Sequence, residues 1–370
     1  MDACDVLIVG GGPAGSSCAW KLRYSGLRVA ILDKATFPRD KVCGGWITPE
    51  VLQELDIDPN EYARGRVLQP ITGFRVGCLG GSELETLYGA PVSYGIRRCE
   101  FDDYLLRRSG ARLLVGRPLA HLERSRGEWI VNGEIRTPML VGAGGTFCPV
   151  ARFLGAKVNR ETVVAAQETE FAMDALQAAA CAAREEVPEL YFCPDMKGYG
   201  WCFRKQNVLN VGLGRVDSHG LAGHVEGFVK YLQERRRLRI DPVPPMHGHA
   251  YLLYGRTPRN LLDEGALLVG DAAGLAYAQS GEGIRPAIES GLLAAQAITA
   301  AQGSYSPERL ELYRDLLLKR FGKTDSHWAA RIGSRLPTGV IAFLARRLLA
   351  REWFARDVVL DRWFLHRARA

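Results

Sequence analysis

The segment Val6–Gly15, VLIVGGGPAG, decides the fold of this 370-residue chain. Its first four residues are apolar and mostly β-branched, which predicts a short buried strand. Gly10, Gly12 and Gly15 follow in the spacing GxGxxG, and the small residues of 14–22 then predict a helix. In this pattern one glycine permits the tight turn, the second admits a pyrophosphate, and the third lets the helix pack on the strand. The phosphates then lie at the helix N-terminus, where unpaired N–H groups and the dipole favour negative charge.

A second strand is predicted over Arg28–Leu32, and it ends at Asp33, which lies 18 residues after Gly15. A carboxylate at this place accepts hydrogen bonds from a ribose hydroxyl. The alternative is an ordinary βαβ turn that binds nothing. We predict the first group of cofactor-binding residues to be Gly10, Gly12, Pro13, Ala14, Gly15, Asp33 and Lys34.

A third strand is predicted to end at Gly270 within Leu268–Gly274, which places Asp271 at the carboxyl end of that strand. Its carboxylate is suited to a ribityl or ribose hydroxyl, or to capping the following helix. An NAD site does not need a second contact more than 250 residues after the first, whereas an extended FAD molecule does. The second group of cofactor-binding residues is predicted to be Gly270, Asp271, Gly281, Gly283 and Ile284.

Several motifs together resemble the FAD-dependent geranylgeranyl reductase family, which is related to aromatic hydroxylases and flavin halogenases. They are PxxKxCGG at Pro38–Gly45, RxxFD at Arg98–Asp102, GYGWCF at Gly198–Phe203, GDAAG at Gly270–Gly274 and GEG at Gly281–Gly283. The resemblance implies an α/β fold: a Rossmann-like FAD-binding domain of the glutathione-reductase type, an interleaved antiparallel-sheet substrate domain, and C-terminal helices. It implies FAD as cofactor, with NAD(P)H or another reduced donor, and an oxidoreductase that reduces carbon–carbon double bonds of an isoprenoid or similar apolar substrate.

The chain departs from these relatives at two places. Arg204 stands where the reductase motif ends in proline, and Gly144 stands where the hydroxylases carry an acid that helps to hold flavin and NADPH. An FAD-dependent monooxygenase or halogenase acting on an aromatic substrate is the alternative function. The missing acid and the missing WxWxIP element of halogenases disfavour it, and a non-catalytic electron-relay flavoprotein is a third hypothesis.

The domain organisation is expected to be discontinuous. The FAD-binding domain is assigned to 1–70, 95–160 and 255–300, the substrate domain to 71–94 and 161–254, and a helical region to 301–370. Strands are predicted over 163–172 and within 189–215, and an amphipathic helix over 220–236.

Candidate catalytic residues are Cys43, Tyr199 and Trp201. Double-bond reduction needs a hydride and a proton, and Cys43, followed by Gly44, is the first candidate for the proton donor; a buried cysteine that only fills space is the alternative. Tyr199 and Trp201 share one face of a strand and form either the wall of an apolar pocket or ordinary core. Cys43 and Gly44 are also predicted to approach the flavin. Arg98 is expected to lie near the flavin unless it is a surface residue.

The composition also bears on disulfides, metal sites and membrane-spanning segments. Nine scattered cysteines without a CxxC pair argue against disulfides and zinc, and favour a cytoplasmic protein. His247-Gly248-His249 has no accompanying metal-binding cluster in sequence. No apolar stretch reaches the roughly 20 residues that span a bilayer.

The net charge of +7 is concentrated near the C-terminus, where residues 331–370 carry nine arginines and three acids. Arginines alternate there with the aromatic residues Trp353, Phe354, Trp363 and Phe364. This pattern predicts either peripheral membrane contact through 336–370 or a helix packed on the flavin domain with a solvated arginine face. No motif supports a nucleic-acid partner, so the expected partner is an apolar small molecule or lipid.

Overall fold

The computed structural model describes residues 2–156, 161, 163–235, 237–238, 242–256, 259–322 and 338–367. These residues form two compact units. Unit 1 comprises the described residues of 1–40, 99–162 and 251–326, and unit 2 those of 41–98, 163–250 and 327–370.

Unit 1 contains a six-stranded sheet and a four-stranded sheet. Its strands are β1 Asp2–Ala3, β2 Val6–Val9, β3 Val29–Asp33, β9 Arg112–Val115, β10 Leu122–Ser125, β11 Glu128–Val131, β12 Ile135–Thr137, β13 Met139–Gly142, β19 Leu262–Asp263 and β20 Ala266–Leu268. The large sheet has the order β19-β20-β13-β2-β3-β9, and all its pairs are parallel except β19 with β20. The small sheet has the order β1-β12-β11-β10.

The helices of unit 1 surround a core made by the parallel sheet. They are α1 Pro13–Leu22, α4 Arg98–Arg107, whose first residue belongs to unit 2, α5 Pro149–Phe153, α8 Ile284–Ala300 and α9 Pro307–Phe321, with a 3₁₀ helix at Gly270–Ala273. All four residues of β2 are buried, as expected for a central parallel strand. Helices α1 and α8 pack closely because Gly291 of α8 leaves no side chain against the carbonyl of Ala14.

Unit 2 contains a seven-stranded sheet and a three-stranded sheet. Its strands are β4 Trp46–Ile47, β5 Leu68–Ile71, β6 Gly73–Cys78, β7 Glu83–Leu87, β8 Ser93–Ile96, β14 Val163–Ala172, β15 Glu189–Phe192, β16 Gly198–Lys205, β17 Val208–Arg215 and β18 His247–Leu252, whose last two residues belong to unit 1. The large sheet has the order β18-β14-β17-β16-β15-β6-β7, and the small one β4-β8-β5. The helices are α2 Pro49–Glu54, α3 Pro59–Tyr62, α6 Ala175–Ala180, α7 Leu221–Glu234 and α10 Thr338–Leu349, followed by a π-helix at Phe354–Phe364.

The register of β14, β17 and β16 brings polar side chains together on one face of the large sheet. Glu168 and Trp201 both lie opposite Gly212, and two pairs further along Glu170 lies opposite Asn210. Directly paired residues of antiparallel strands share a face, so these side chains are neighbours although they are far apart in sequence.

The predicted fold class is confirmed, and the strands predicted over 163–172 and within 189–215 and the helix over 220–236 form as β14 to β17 and α7. The compact units differ from the predicted domain limits, because residues 41–70 pack in unit 2 and 301–322 in unit 1. Which unit performs which function therefore stays a prediction.

The C-terminal segment belongs to unit 2 over its described residues, 338–367, and residues 336, 337 and 368–370 of the predicted membrane segment lie outside them. Helix α10 and the π-helix account for most of this segment. Within the described part of the chain, no helix combines the length and the hydropathy that crossing a membrane requires.

Candidate functional site

The turn between β2 and α1 has the shape that the glycine spacing predicts. Gly10 has a φ of +117°, which favours glycine, and a side chain there would overlap the carbonyl of Ala143. A side chain at Gly15 would overlap the carbonyl of Gly10. Gly12 is different, because the nearest atom to a Cβ placed there would be Nη2 of Arg39 at 3.4 Å. The first and third glycines therefore serve packing, and the second leaves open space at the helix N-terminus.

The N-terminus of α1 is electrostatically suited to a phosphate. Gly12 is its N-cap and has no side chain to occupy the terminal N–H groups, Pro13 is the first helical residue, and the first turn has no acidic residue. Ala14 and Gly15 follow within this turn. Unpaired backbone N–H groups and the helix dipole attract an anion at such an end.

Asp33 supports the glycine turn directly. Its Oδ2 accepts a hydrogen bond from the backbone N–H of Gly11 at 2.7 Å, and its Oδ1 accepts one from the N–H of Ala35 at 2.8 Å. Each carboxylate oxygen has a second lone pair, so a ribose hydroxyl can still donate to this side chain. Lys34, also predicted as a cofactor ligand, is exposed at the end of β3.

Arg39 is a residue that the sequence analysis did not assign to the cofactor. Its guanidinium lies beside Gly12, forms an ion pair with the fully buried Asp102 at 3.2 Å, and stacks on Phe37 at 4.8 Å. The ion pair joins the PxxKxCGG and RxxFD motifs within unit 1. An orientated arginine beside a helix N-terminus is suited to a phosphate oxygen. In the sequence, the only indication of this ion pair was that one motif contains a basic residue, Arg39, and the other an acidic residue, Asp102.

The second predicted contact region lies on the 3₁₀ helix after β20. Gly270 has a φ of +60°, its N–H donates to Ser290 Oγ at 2.9 Å, and a Cβ there would lie 3.0 Å from Ala14 Cβ. The region therefore adjoins the first turn of α1. A Cβ at Gly283 would lie 3.1 Å from Oδ1 of Asp271, so the glycine leaves that carboxylate room.

Gly281 and Gly283 lie at the start of α8 in the same region of unit 1. Gly281 has a φ of +70°, and a side chain there would overlap the hydroxyl of Tyr251. Gly283 is the N-cap of α8, and Ile284 is its buried first residue. The predicted Gly281, Gly283 and Ile284 thus form the entry to α8.

Arg259, which the sequence analysis did not select, holds the 3₁₀ helix in place. It is buried, its Nη1 donates to the carbonyl of Ala272 and its Nη2 to the carbonyl of Thr146, each at 2.9 Å. It is paired with Glu161 at 2.6 Å. No motif marks Arg259, and only the folded chain shows that it joins two loops.

In unit 2, Cys43 lies on a tight turn in which Gly45 is needed for space. Gly45 has a φ of +64°, and a side chain there would overlap the carbonyl of Ile96. A Cβ at Gly44 would lie 3.4 Å from Phe203 and 3.5 Å from Nε1 of Trp201. The thiol of Cys43 is half-buried, and its Sγ accepts from the N–H of Gly45 at 3.5 Å.

Both backbone polar groups of Cys43 are held by side chains of the large sheet. Its N–H donates to Oε1 of Glu168 at 2.5 Å, and its carbonyl accepts from Nδ2 of Asn210 at 3.2 Å. Nε1 of Trp201 in turn donates to Oδ1 of Asn210 at 2.7 Å. Cys43 and Trp201 were predicted as site residues from the sequence. Glu168 and Asn210 were not, because strand register is what brings these two residues close to Cys43.

Two glutamates two residues apart on β14 have opposite pKa shifts. Burial raises the pKa of Glu168 to about 7, against smaller opposing effects of the Cys43 N–H and Lys205. Burial also raises the pKa of Glu170, but Lys205 and Asn210 outweigh it and hold that pKa below its ordinary value. Lys205 is buried and its Nζ donates to Glu170 at 2.7 Å and to the carbonyl of Ile96 at 2.8 Å. Paired acids with diverging pKa values are typical of acid–base sites.

The aromatic residues of the GYGWCF motif have different roles. The rings of Tyr199 and Trp201 lie 6.1 Å apart on one face of β16, and Tyr199 is half-buried whereas Trp201 is buried. Phe364 packs on Tyr199 at 5.4 Å and on Trp46 at 5.6 Å. Unit 2 therefore has an aromatic cluster to which the C-terminal π-helix contributes.

Arg98 is buried, so it is not the surface residue of the alternative interpretation. Its charge and that of Lys41 reinforce burial in lowering the pKa of His249 to about 3. Lys41 Nζ lies 2.9 Å from Nε2 of this histidine. Neutral His249 is thus an acceptor for lysine, and no cluster of three or more metal-binding side chains lies among the described residues.

Comparison with known proteins agrees with this geometry. Residues 8–60 match the family described as NAD(P)-binding Rossmann-like domain. The menaquinone reductase of Mycobacterium tuberculosis is 30% identical, over 87% of this chain and 81% of that protein. The geranylgeranyl diphosphate reductase of Rhodobacter capsulatus is 29% identical, over 86% of this chain and 81% of that protein. The chain belongs to the geranylgeranyl reductase family.

Members of this family are FAD-dependent oxidoreductases, and solved structures agree in fold. A geranylgeranyl bacteriochlorophyll reductase-like protein from Thermoplasma acidophilum has a TM-score of 0.78 at 24% identity, over 95% of this chain and 92% of that one. A halogenase in complex with FAD has a TM-score of 0.67 at 18% identity, over 85% of this chain and 73% of that one. The open space at Gly12, the acid-free start of α1 and the room beside Asp271 fit FAD.

Proposed function

We propose that this protein reduces carbon–carbon double bonds in the isoprenoid chain of an apolar substrate. Menaquinone and geranylgeranyl diphosphate, which occur in the names of two relatives, both contain such a chain. The observation that carries the proposal is the Cys43 turn, where Glu168 and Asn210 hold the backbone of a residue with a half-buried thiol beside an aromatic cluster. A fixed proton donor next to apolar side chains is what the addition of hydrogen to an alkene requires.

The cofactor is assigned to residues of unit 1. The N-terminus of α1 at Gly12–Gly15 and the guanidinium of Arg39 would hold the pyrophosphate, Asp33 the ribose, and Asp271 the ribityl chain. FAD in its reduced form supplies the hydride when bound. We leave Lys34 out of this proposed set, because its side chain is exposed.

The proton is assigned to Cys43. Its thiol would transfer a proton to the carbon next to the one that receives the hydride, which completes the saturation of the double bond. Glu168 and Asn210 hold the backbone of this residue, and its Sγ accepts the N–H of Gly45. Trp201 acts as a positioning residue through Asn210, whereas the half-buried ring of Tyr199 is suited to contact with an isoprenoid chain.

The test uses anaerobic protein whose flavin has been reduced with dithionite. Geranylgeranyl diphosphate and menaquinone are added separately, flavin oxidation is followed by absorbance, and the product is analysed by mass spectrometry. The proposal requires oxidation of the flavin together with a gain of two hydrogens per reduced bond. Oxygen consumption stimulated by an aromatic substrate, with no such gain in mass, would establish the monooxygenase instead.

We further propose peripheral contact with an anionic membrane through helix α10. The apolar side chains exposed there and just beyond it are Val340, Phe343, Leu344, Leu348 and Trp353. Arg346, Arg347 and Arg351 are exposed on the same segment, and the guanidinium of Arg347 stacks on Phe343 at 5.0 Å. Apolar and basic side chains exposed together on a helix are typical of interfacial binding. Phe364 does not belong to this surface, because it is only 1% exposed.

Vesicle co-sedimentation tests the membrane proposal. Replacing Arg346, Arg347 and Arg351 with glutamate should weaken binding to phosphatidylglycerol vesicles about a hundredfold or more, since each arginine contributes roughly 1 kcal/mol at such a surface. Replacing three exposed arginines elsewhere makes the same change in net charge and should have little effect: Arg64, Arg126 and Arg152. Equal losses for the two variants would refute a specific role of α10.

A further inference from the structure

Two loops follow neighbouring parallel strands in the large sheet of unit 1. Strand β13 ends at Gly142 and is followed by the loop 143–148, and β20 ends at Leu268, shortly before the 3₁₀ helix Gly270–Ala273. Because β13 and β20 pair in parallel, both connections leave the sheet at the same edge. Ligands of open parallel sheets bind at this carboxyl edge. The two loops therefore lie where cofactor ligands are expected, and the second one carries Asp271.

Arg259 joins these two loops through its guanidinium. Its side chain is 1% exposed, and its Nη1 and Nη2 donate to the carbonyls of Ala272 and Thr146, each at 2.9 Å. The other side of the fork faces Glu161, with Nε bonded to Oε1 at 2.7 Å and Nη2 to Oε2 at 2.6 Å. These hydrogen bonds use Nε, Nη1 and Nη2 together, and the guanidinium is rigid and planar. The arginine therefore fixes the separation of the two loops.

The glycine turn at the start of α1 is held by different contacts. Oδ2 of Asp33 accepts the N–H of Gly11 at 2.7 Å. The start of the loop 143–148 is held by strand β2, since the N–H of Ala143 donates to the carbonyl of Val9 at 2.8 Å. The proposed cofactor site thus has two parts with separate supports: the turn for the pyrophosphate, supported by Asp33, and the loop for the ribityl chain, supported by Arg259.

We infer that Arg259 is a positioning residue for the flavin half of the cofactor and acts through Asp271. The inference rests on the proposed function, in which Asp271 contacts the ribityl chain. Asp271 directly precedes Ala272, whose carbonyl Arg259 holds, so the guanidinium fixes the short helix that carries this carboxylate. The aspartate is half-buried and accessible to a ligand, whereas the arginine side chain is too buried to contact one.

Arg259→Lys tests this role and keeps the charge. Lysine can retain the ion pair with Glu161, but one ammonium group cannot reproduce a planar fork that reaches a carboxylate and two carbonyls. The variant should bind FAD about tenfold or more weakly, the effect of losing one hydrogen bond to a charged group. Its affinity for ADP, which has the pyrophosphate but no ribityl chain, should stay within about twofold of wild type. Calorimetric titration of full-length protein freed of FAD measures both affinities.

Asp271→Ala shows whether the two residues act as a unit. This variant should also lose affinity for FAD and keep its affinity for ADP. The double variant of Arg259→Lys with Asp271→Ala should bind FAD about as weakly as Asp271→Ala alone, because positioning an absent carboxylate has no further effect. If the two losses multiply in the double variant, Arg259 acts independently of Asp271 and the inference is overturned.

Arg215→Lys is the matched control for a loss of stability. Arg215 is 3% exposed, its Nη1 and Nη2 donate to Asp195 at 3.2 and 2.7 Å, and its Nε donates to the carbonyl of Asp217 at 3.3 Å. It lies on β17 in unit 2, whereas the proposed FAD ligands lie in unit 1. This variant should lower Tm to a similar extent as Arg259→Lys and leave both affinities unchanged.

The results separate failure of the ligand assignment from failure of the inference. If Asp271→Ala binds FAD as tightly as wild type, the assignment of Asp271 in the proposed function is wrong and the inference fails with it. If Asp271→Ala loses FAD but Arg259→Lys does not, only the inference is overturned, and equal losses of FAD and ADP in Arg259→Lys overturn it as well. If Arg259→Lys does not fold, Arg259→Met combined with Glu161→Gln, which removes both charges of the pair, replaces it in each comparison.

Discussion

Lys205→Met should destabilise the protein in a way that depends on pH. Lys205 is 1% exposed. The substitution leaves the carboxylate of Glu170 with only the more distant Arg97 as a cation, and the carbonyl of Ile96 without its donor. Removing one partner of a buried ion pair costs about 3–5 kcal/mol. Because 20% of the Glu170 side chain is exposed, we expect the lower value, about 3 kcal/mol at pH 7.

The expected change in Tm follows from the length of the chain. At about 2.1 cal/mol/K per residue, unfolding 370 residues has an entropy of roughly 0.8 kcal/mol/K. A loss of about 3 kcal/mol then lowers Tm by about 4 °C. Differential scanning calorimetry of the flavin-loaded protein resolves such a shift.

The pH dependence identifies the cause. In the wild type the pKa of Glu170 is lowered, so this group stabilises the fold above its ordinary value of 4.5, and the contribution disappears as pH falls. In Lys205→Met only Arg97 and Asn210 oppose the effect of burial, so the pKa of Glu170 rises. Stability should then decline more than in the wild type as pH rises from about 5 to 7. At pH 5 the remaining loss of stability should be that caused by the unpaired carbonyl of Ile96, about 1 kcal/mol.

The double variant Lys205→Met with Glu170→Gln is the matched control. It removes the charge that the single variant leaves buried. The difference between its Tm and that of the wild type should be nearly independent of pH in this range, because Glu168 titrates in both proteins. A drop in Tm of Lys205→Met that is the same at pH 5 and pH 7 would refute the reasoning, as would a loss at pH 7 that the double variant does not recover.

Three further changes test other parts of the chain. Gly15→Ala should abolish FAD retention, since its Cβ would overlap the carbonyl of Gly10, and the flavin absorbance of purified protein measures this. Arg39→Gln should weaken FAD binding about tenfold or more through loss of a charged hydrogen bond worth about 1.5–3 kcal/mol, which titration of apoprotein would show; unchanged affinity would exclude Arg39 from the cofactor. Cys43→Ala should keep its FAD and slow double-bond reduction about a hundredfold, and normal turnover with full flavin content would disprove its role as donor.

Local sequence patterns were sufficient to predict the nucleotide-binding βαβ element of unit 1. A β-branched run, three spaced glycines and a following acid each specify a short-range structure, and together they predicted β2, α1 and β3. The same residues predicted the dinucleotide-binding turn, because glycine marks the positions at which a side chain would not fit. The role of Gly12 as the one with open space agreed with the prediction as well.

The sequence was less informative about how other residues are used. Phe364 was grouped with a membrane-binding segment, but it packs on Trp46 and Tyr199. Trp201 was predicted to form either the wall of an apolar pocket or ordinary core, and the sequence did not predict that its indole N–H bonds to Asn210. Hydrophobic residues occur both in a buried core and on a lipid-binding surface, so only the contacts in the folded protein distinguish the two.

By itself, the sequence determined the nucleotide-binding turn, the class of fold and the family, since each depends on short motifs in the chain. It also predicted Cys43 as the proton donor. Only the tertiary structure decided which groups surround Cys43. Glu168 and Asn210 lie more than 120 residues from it, and the pairing register of β14 and β17 brings them to its backbone. The divergent pKa values of Glu168 and Glu170 arise in the same way, because burial and the position of Lys205 are properties of the packed sheet.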